Sequence, residues 1–186
     1  MSYFETSILE MMRIPTPLNQ VMKISPKSDE FDNVQSWIKT VLGSPYKKLS
    51  ELGRCGTSTV FTEFERTHDN ITLVLFPCNS PVRFLNETSI PEKIVTYRFV
   101  SKGFDLLRIL KRNKIEKGSF LLCAVDLGKA AYDDHPKCIP TDWTIQSLIS
   151  NGYDSFFFRN NGVESIMILN TTETPVIPLY IVKMAI

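Results

Sequence analysis

Two short, nearly continuous apolar runs constrain the fold of this chain more than any other feature. They span residues 71–76, which read ITLVLF, and residues 120–125, which read FLLCAV. Runs of this length and composition are typical of buried strands. From residue 119 onward, one strand pattern follows another, and we predict strands over residues 119–127, about 154–159, about 165–169 and 176–184. Residues 129–152 are polar and contain proline, and we predict an excursion from the sheets there.

The first 45 residues are helical in pattern. One helix face is predicted by apolar residues at the spacing i, i+3, i+4, i+7 and i+8, namely Val34, Trp37, Ile38, Val41 and Leu42. Ser28 or Asp29 supplies its N-cap, and Gly43 followed by Pro45 ends it. A weaker helix is predicted over residues 4–13. Further on, short helices are predicted after Ser80 and over 104–112, and a strand over 94–100.

Helices at the front with mostly strands behind predict an α+β fold, with two packed, mainly antiparallel β-sheets and flanking helices. A chain of 186 residues with 43% hydrophobic content can close one sizeable core. We therefore predict a single domain over residues 1–186, in which residues 1–20 form an N-terminal helical extension.

The charge balance and the glycine content restrict the function classes. The 21 Lys and Arg residues nearly cancel the 20 Asp and Glu residues, which argues against a dedicated nucleic-acid binder and against a polybasic membrane anchor. Only 8 residues are glycine, so a function built on glycine-rich phosphate loops has little material.

Compartment and metal signals are weak. The first residues lack the basic and apolar regions of a signal peptide, and no stretch approaches a membrane span. The four cysteines form no CxxC pair, so no zinc or thioredoxin-type motif is present. His68 and the cluster Asp133, Asp134 and His135 are interpreted as solvated loop residues rather than metal ligands. These features predict an intracellular, reduced protein.

Six segments in order resemble landmarks of the poly(ADP-ribose) polymerase catalytic fold. Residues 75–81 read LFPCNSP where that family has an LFHGTS motif between a buried strand and a helix. Residues 152–155 read GYDS and match a "g-x-DS" turn. The other segments are the entry to the first helix, a Tyr-containing strand, a strand ending in Leu-Gly-Lys and a closing strand, at residues 23–34, 96–99, 120–129 and 178–182.

The resemblance also assigns site positions, and several of these have changed. In the family the motif histidine hydrogen-bonds the NAD ribose, and the next glycine grips the nicotinamide amide through its backbone. Here Pro77 stands at the histidine position, Cys78 at the glycine position and Asn79 at the threonine position. Tyr97 occurs where the family has a tyrosine that stacks on nicotinamide, and Glu164 lies near the position of the catalytic glutamate.

These substitutions favour loss of activity. Breaking the glycosidic bond of NAD requires a firmly held ribose and stabilisation of a cation-like transition state. Pro77 offers neither a side-chain donor nor a backbone N–H, and a side chain at Cys78 is expected to enter the nicotinamide slot. We therefore expect no catalytic residues, no cofactor and no metal, with Pro77, Cys78, Asn79, Tyr97 and Glu164 as vestigial cleft positions.

Three features look most like the inactive pseudo-polymerase domains of TASOR and related silencing proteins. They are the Leu-Phe-Pro entry at residues 75–77, the strand end at residues 97–101, and the run 104–108 that leads to residues 125–129. This similarity implies a scaffold that binds protein partners of a silencing or regulatory complex in the nucleus. Its working surface is expected in loops and exposed patches, such as residues 129–152 with Trp143.

Two alternatives from other classes remain open. The first is an active mono-ADP-ribosyltransferase that uses NAD with Tyr97 and Glu164. The second is a nucleic-acid-binding module whose basic face is hidden by the balanced composition. That face would draw on Lys39, Lys47, Lys48, Arg54, Lys111, Arg112 and Lys114.

Overall fold

The computed structural model describes residues 3–18, 20–43, 46–77, 98–101, 117–133, 142–160, 163–169 and 176–185. Its helices are α1 (Tyr3–Met12), α2 (Asp29–Leu42), α3 (Ser58–Thr67) and α4 (Asp142–Ser150). Its strands are β1 (Val21–Lys23), β2 (Lys48–Cys55), β3 (Ile71–Pro77), β4 (Arg98–Ser101), β5 (Lys117–Asp126), β6 (Ala130–Asp133), β7 (Ser155–Asn160), β8 (Val163–Ile168) and β9 (Val176–Ala185).

The strands form two sheets. The five-stranded sheet has the order β1-β2-β9-β5-β3, and every neighbouring pair in it is antiparallel. The four-stranded sheet has the order β4-β8-β7-β6, in which only β6 and β7 run parallel. The predicted α+β class with two mainly antiparallel sheets is therefore confirmed, whereas membership of the ADP-ribosyltransferase fold stays a prediction.

Strand β5 explains the apolar run at residues 120–125, because it is covered on both faces. One face contributes Phe120, Leu122 and Ala124 to a core shared with α1, α2 and α3. The other face contributes Leu121, Cys123 and Val125 to a second core, which contains Ile166 and Ile168 of β8 in the other sheet. A strand buried on both faces has no solvent side, so alternation between apolar and polar residues disappears.

The layers follow from these cores. Helices α1, α2 and α3 cover one face of the five-stranded sheet, and its other face packs on the four-stranded sheet. On the far side of the four-stranded sheet, Ile145 of α4 packs with Phe156, Met167 and Leu169. Within the described ranges, the order of layers is helices, sheet, sheet, helix.

Helix α2 begins and ends where the capping residues predict. Ser28 Oγ accepts a hydrogen bond of 3.2 Å from the backbone N–H of Phe31, which satisfies one of the unpaired first-turn donors. At the other end Gly43 adopts φ 67° and donates to the carbonyl of Lys39 at 2.9 Å. The helix therefore runs from Asp29 to Leu42, as its apolar spacing indicates.

The N-terminal helix is part of the main core. Ile8, Leu9 and Met12 of α1 are buried in the same cluster as the α2 and β5 side chains. The helix predicted over 4–13 is observed as Tyr3–Met12. Residues 3–12 thus contribute directly to the helical layer over the five-stranded sheet.

The prediction that residues 129–152 leave the sheets is wrong for residues 130–133, which form a strand of the four-stranded sheet. Strand β6 pairs with β7 through Ala130 to Asp133, and α4 covers Asp142–Ser150. Both were missed because an edge strand and a one-sided helix need few apolar residues. Strand β2 and helix α3 were also not predicted. The helices expected after Ser80 and over 104–112 lie outside the described residues, and β4 covers only the end of the strand expected over 94–100.

A β-bulge in β9 turns two consecutive side chains to the helical side. Leu122 of β5 pairs with Tyr180, but the next residue, Cys123, pairs with Pro178, so Leu179 is the extra residue. Leu179 and Tyr180 are consequently both buried in the core beneath the helices. This register change places Tyr180 beneath α2.

Candidate functional site

The described backbone places two of the predicted cleft residues. Pro77 is the last residue of β3 and pairs with Phe120 of β5. Glu164 lies in β8 and pairs with Arg159 of β7. Cys78, Asn79 and Tyr97 lie outside the described residues, so the predicted cleft as a whole stays a prediction.

The pairing of β4 with β8 gives the backbone position of Glu164 relative to β4. Arg98, the first residue of β4, pairs with Ile168, and Ser101 at the other end pairs with Ser165. Arg98 is therefore level with a residue four positions along β8 from Glu164, which is about 13 Å at the usual strand rise. Glu164 lies next to the Ser101 end of the ladder.

Two of the segments that carry the family resemblance meet at a junction between the sheets. The backbone N–H of Lys129 donates to Asp154 Oδ2 at 2.8 Å, and the N–H of Asp154 donates to the Lys129 carbonyl at 2.9 Å. Ser155 Oγ, which is buried, donates to the Leu127 carbonyl at 2.7 Å. The turn after β5 is thereby fastened to the turn before β7.

The conformation of Gly128 explains the glycine in this junction. Its φ is 52°, a backbone angle that residues with a β-carbon rarely adopt. An added β-carbon would also collide with the side chain of Asp154. Asn70, just before β3, also joins the junction, since its Nδ2 donates to the Gly128 carbonyl at 3.0 Å. The hydrogen bonds of these residues join the turns that connect the two sheets.

A buried polar cluster links α2 to the five-stranded sheet. Tyr180 Oη donates to Glu30 Oε1 at 2.8 Å, and Arg54 Nη1 lies 3.5 Å from the same oxygen. The side chains of Arg54 and Glu30 are only 7% and 12% exposed. Arg54 Nη1 also donates to the Met11 carbonyl at 3.2 Å, while Nε has no hydrogen-bond partner among the described residues.

This cluster corrects one part of the nucleic-acid alternative. Arg54 was a candidate for an exposed basic face, but it is buried and its charge is balanced by Glu30. No local pattern of residues predicts this pairing, because Arg54 and Glu30 lie on separate elements. Of the remaining candidates in the described ranges, Lys39, Lys47 and Lys48 are exposed.

The buried hydroxyl and thiol groups near this cluster are poorly suited to nucleophilic chemistry. Burial raises the pKa of the Tyr180 phenol well above its usual value, and the neighbouring Glu30 carboxylate raises it further. Burial likewise raises the pKa of the Cys55 thiol to about 12, against a smaller lowering by a hydrogen bond with the Ile181 backbone. Both groups stay protonated at neutral pH, and the reactive form of cysteine is the thiolate.

Metal and membrane features are also absent from the part of the chain that the structure describes. No three or more His, Cys, Asp or Glu side chains come together there in a way that could hold a metal ion. Of the helices in the described ranges, none is long and apolar enough to cross a bilayer.

Comparisons with known proteins add no family assignment. A scan against protein-family models finds no match to the chain, and a search of curated proteins finds no significant match. The class that the described structure defines is an α+β domain with two stacked, mainly antiparallel sheets.

Proposed function

We propose that this chain is a catalytically inactive domain of the ADP-ribosyltransferase type that serves as a protein-interaction scaffold. The observation that carries the proposal is the placement of Pro77 as the last residue of the buried strand β3. The resemblance puts the ribose-binding histidine at this point of the fold. A proline there supplies neither a side-chain donor nor a backbone N–H to the NAD ribose.

The distribution of retained and altered residues supports the same proposal. Gly128, Asp154 and Ser155, which match the family pattern, form the junction that joins the two sheets. The altered positions are those that the resemblance assigns to NAD binding. A chain that retains the residues of the framework while replacing the ribose- and amide-binding motif with Pro77, Cys78 and Asn79 is expected to keep the fold without the chemistry, even though Tyr97 and Glu164 remain.

A scaffold also needs an exposed surface, and strand β6 offers one. Tyr132 is 72% exposed, and its ring stacks on that of Phe157 with centroids 4.9 Å apart. Strand β6 is the last strand of its sheet among the described residues, and exposed tyrosines are enriched at protein interfaces. The strand lies within residues 129–152, where the sequence predicts the interaction surface. The partner class implied by the resemblance is a nuclear silencing or regulatory complex.

Calorimetric titration with NAD tests the loss of cofactor binding. We expect no binding at micromolar concentrations and no transfer of label from labelled NAD to the protein or to an added partner. Micromolar binding would contradict the proposal. So would label transfer that disappears in Glu164→Gln, because it would assign an active transferase.

Partner capture tests the scaffold role. We expect a partner purified with the wild-type chain to be lost with Tyr132→Glu and retained with Tyr3→Glu. Tyr3 is a matched control because it is a similarly exposed tyrosine, at 78%, on α1. Equal loss with both variants, or retention with both, would remove strand β6 from the proposal.

A further inference from the structure

Residues 14–22, which form the connection after α1 and most of β1, carry half of the exposed large apolar side chains in the described ranges. Eight such side chains are exposed there, and four of them are Ile14, Leu18, Val21 and Met22, at 39% to 62% exposure. Apolar side chains scattered singly on a surface need no explanation, whereas a group of them on one segment marks a candidate interaction site.

The backbone of this segment is fixed by hydrogen bonds on its inner side. The N–H of Thr16 donates to Ser58 Oγ at 3.1 Å. The Gln20 carbonyl accepts from the Gly56 N–H at 2.7 Å. Gly56 allows this close approach, because a β-carbon there would collide with the Pro17 carbonyl. The segment therefore lies against the end of β2 and the start of α3 through polar groups, and its apolar side chains remain exposed.

Strand β1 leaves one of its edges unpaired. It is the outermost strand of the five-stranded sheet among the described residues, and all of its residues are exposed. The Gln20 carbonyl and the Ile24 N–H both bond to β2. Because successive residues of an antiparallel strand point their backbone groups to opposite edges, Met22 also faces β2, whereas Val21 and Lys23 face away from it. No residue that the structure describes hydrogen-bonds the N–H and C=O groups of these two residues.

The unpaired backbone groups of Val21 and Lys23 match an extended peptide backbone, which carries donors and acceptors at the same spacing. A strand added at this edge would lie about 4.8 Å from β1, within reach of Val21 on one face and Met22 on the other. Leu18 extends the apolar surface, since it lies in the turn immediately before β1, in which the Gln20 N–H donates to the Pro17 carbonyl at 3.3 Å.

The charge of Lys23 favours an acidic partner over a second copy of this chain. The register that pairs all of β1 with a two-fold-related copy is centred on Met22. It brings the two Lys23 side chains to diagonal positions on one face, about 7–8 Å apart, where like charges repel. Lys23 forms no ion pair with another described residue, so a carboxylate on the added strand would be its first partner there.

We propose that the free edge of β1 binds an extended segment of a partner protein, which becomes an additional strand of the five-stranded sheet. The segment exchanges backbone hydrogen bonds with Val21 and Lys23, places an apolar side chain beside Val21 and carries an acidic residue opposite Lys23. This surface lies on a different sheet from Tyr132 of β6, and the proposal depends neither on that residue nor on the absence of NAD chemistry.

An NMR titration of the ¹⁵N-labelled full chain with the synthetic peptide acetyl-STEIVITS-amide tests the proposal. In the antiparallel arrangement used throughout this sheet, the glutamate of the peptide lies opposite Lys23 and its valine opposite Val21. We expect binding to slow hydrogen exchange at the amides of Val21 and Lys23, and to change it much less at Met22, whose amide already faces β2.

Methylation of the peptide backbone tests whether binding uses the strand edge. N-methylation of the peptide valine removes a donor to β1 and is expected to abolish binding. N-methylation of the isoleucine before this valine is the matched control, because its N–H points away from β1. Equal binding of the two methylated peptides would contradict pairing at this edge.

Variants of the chain test the two contacts separately. Lys23→Glu is expected to weaken binding of the peptide roughly tenfold, because an attraction becomes a repulsion. The charge-exchanged peptide acetyl-STKIVITS-amide should restore binding to this variant. Lys27→Glu is the matched control, since Lys27 is also exposed but lies beyond the end of β1. Val21→Pro removes one outward N–H and should also weaken binding, while the pairing with β2 is kept. Thermal unfolding verifies that each variant is folded.

Three outcomes would overturn the proposal. They are no binding of the peptide at millimolar concentration, unchanged binding in Lys23→Glu, and self-association of the chain in the ultracentrifuge that is lost in Val21→Pro. The last of these would assign the edge to a second copy of the chain. None of them bears on NAD binding or on the role of Tyr132.

Discussion

The phenol of Tyr180 donates a 2.8 Å hydrogen bond to the carboxylate of Glu30, which joins the central strand β9 to the first turn of α2. The two residues are 150 positions apart in the chain. Arg54 of β2 lies against the same carboxylate, so one oxygen of Glu30 serves two elements of the sheet. This polar contact adds to the apolar packing of α2 on the sheet beneath it.

Tyr180→Phe is expected to lower the free energy of unfolding by about 1–3 kcal/mol, because it removes a buried donor to a charged acceptor. Urea unfolding monitored by circular dichroism measures the change. Tyr132→Phe is the matched control, and we expect a change within about 0.5 kcal/mol because this side chain is exposed. Equal effects of the two variants would show that the hydrogen bond contributes nothing to stability.

Glu30→Gln is expected to cost about 3–5 kcal/mol, because it leaves the buried guanidinium of Arg54 without a counter-charge. The double variant Glu30→Gln with Arg54→Met should recover part of this loss, since the unpaired charge is removed. A double-mutant cycle on unfolding free energies measures the coupling. Glu51→Gln breaks the exposed pair with Lys183 and should have no resolvable effect. Strict additivity of the Glu30 and Arg54 changes would contradict the prediction.

The stability of the domain is expected to fall in alkaline solution. The folded pKa of Cys55 is raised from 9.0 to about 12 by burial, so the thiol ionises first in the unfolded chain. The protonated thiol of Cys55 therefore contributes fully to the free energy of unfolding below pH 9. This contribution is lost as the pH rises from 9 to 12, at about 1.4 kcal/mol per pH unit. Tyr180, whose pKa is also raised, adds the same dependence above pH 10.

Cys55→Ser isolates the thiol in this pH dependence. We expect its unfolding free energy, measured in urea between pH 8 and pH 11, to fall less steeply than that of the wild type above pH 9. The serine hydroxyl does not titrate in this range, and its side chain is close in size to that of cysteine. Equal slopes of unfolding free energy against pH for the two proteins would show that ionisation of Cys55 does not cause the loss of stability.

Gly56→Ala is expected to destabilise the connection before β1 by about 1–3 kcal/mol through overpacking. A β-carbon at Gly56 would collide with the Pro17 carbonyl oxygen and lie 3.0 Å from that of Gln20. The Gly56 N–H donates to the Gln20 carbonyl at 2.7 Å, so its hydrogen exchange should accelerate in the variant or at the neighbouring amides.

Gly43→Ala serves as the control for this effect. It is strained by its φ of 67°, but a β-carbon there meets no atom within 4 Å. We therefore expect Gly43→Ala to lower stability while leaving the amides of Leu18, Gln20 and Gly56 as protected from exchange, relative to the rest of the chain, as they are in the wild type. Faster exchange in that region for both glycine variants would point to global destabilisation instead of a local collision.

Much of the fold was predictable because the local spacing of apolar residues indicates which positions are buried. The cap at Ser28, the apolar spacing after it and the stop at Gly43 predict α2, and the apolar runs predict β3 and β5. Elements with few apolar residues, such as β6 and α4, were missed because their one-sided burial leaves a polar pattern. Of the predicted cleft, only the backbone positions of Pro77 and Glu164 fall within the described ranges.

Local sequence patterns were enough to locate helix α2 with both of its ends and the apolar strands β3 and β5, since these depend on neighbours a few positions away. Long-range packing is what makes Leu179 a bulge, brings Tyr180 to Glu30, and binds Asp154 and Ser155 to the turn at Gly128. The physical reason is that strand register and contacts between distant segments are chosen by the packing of the whole core. No local run of residues encodes that choice.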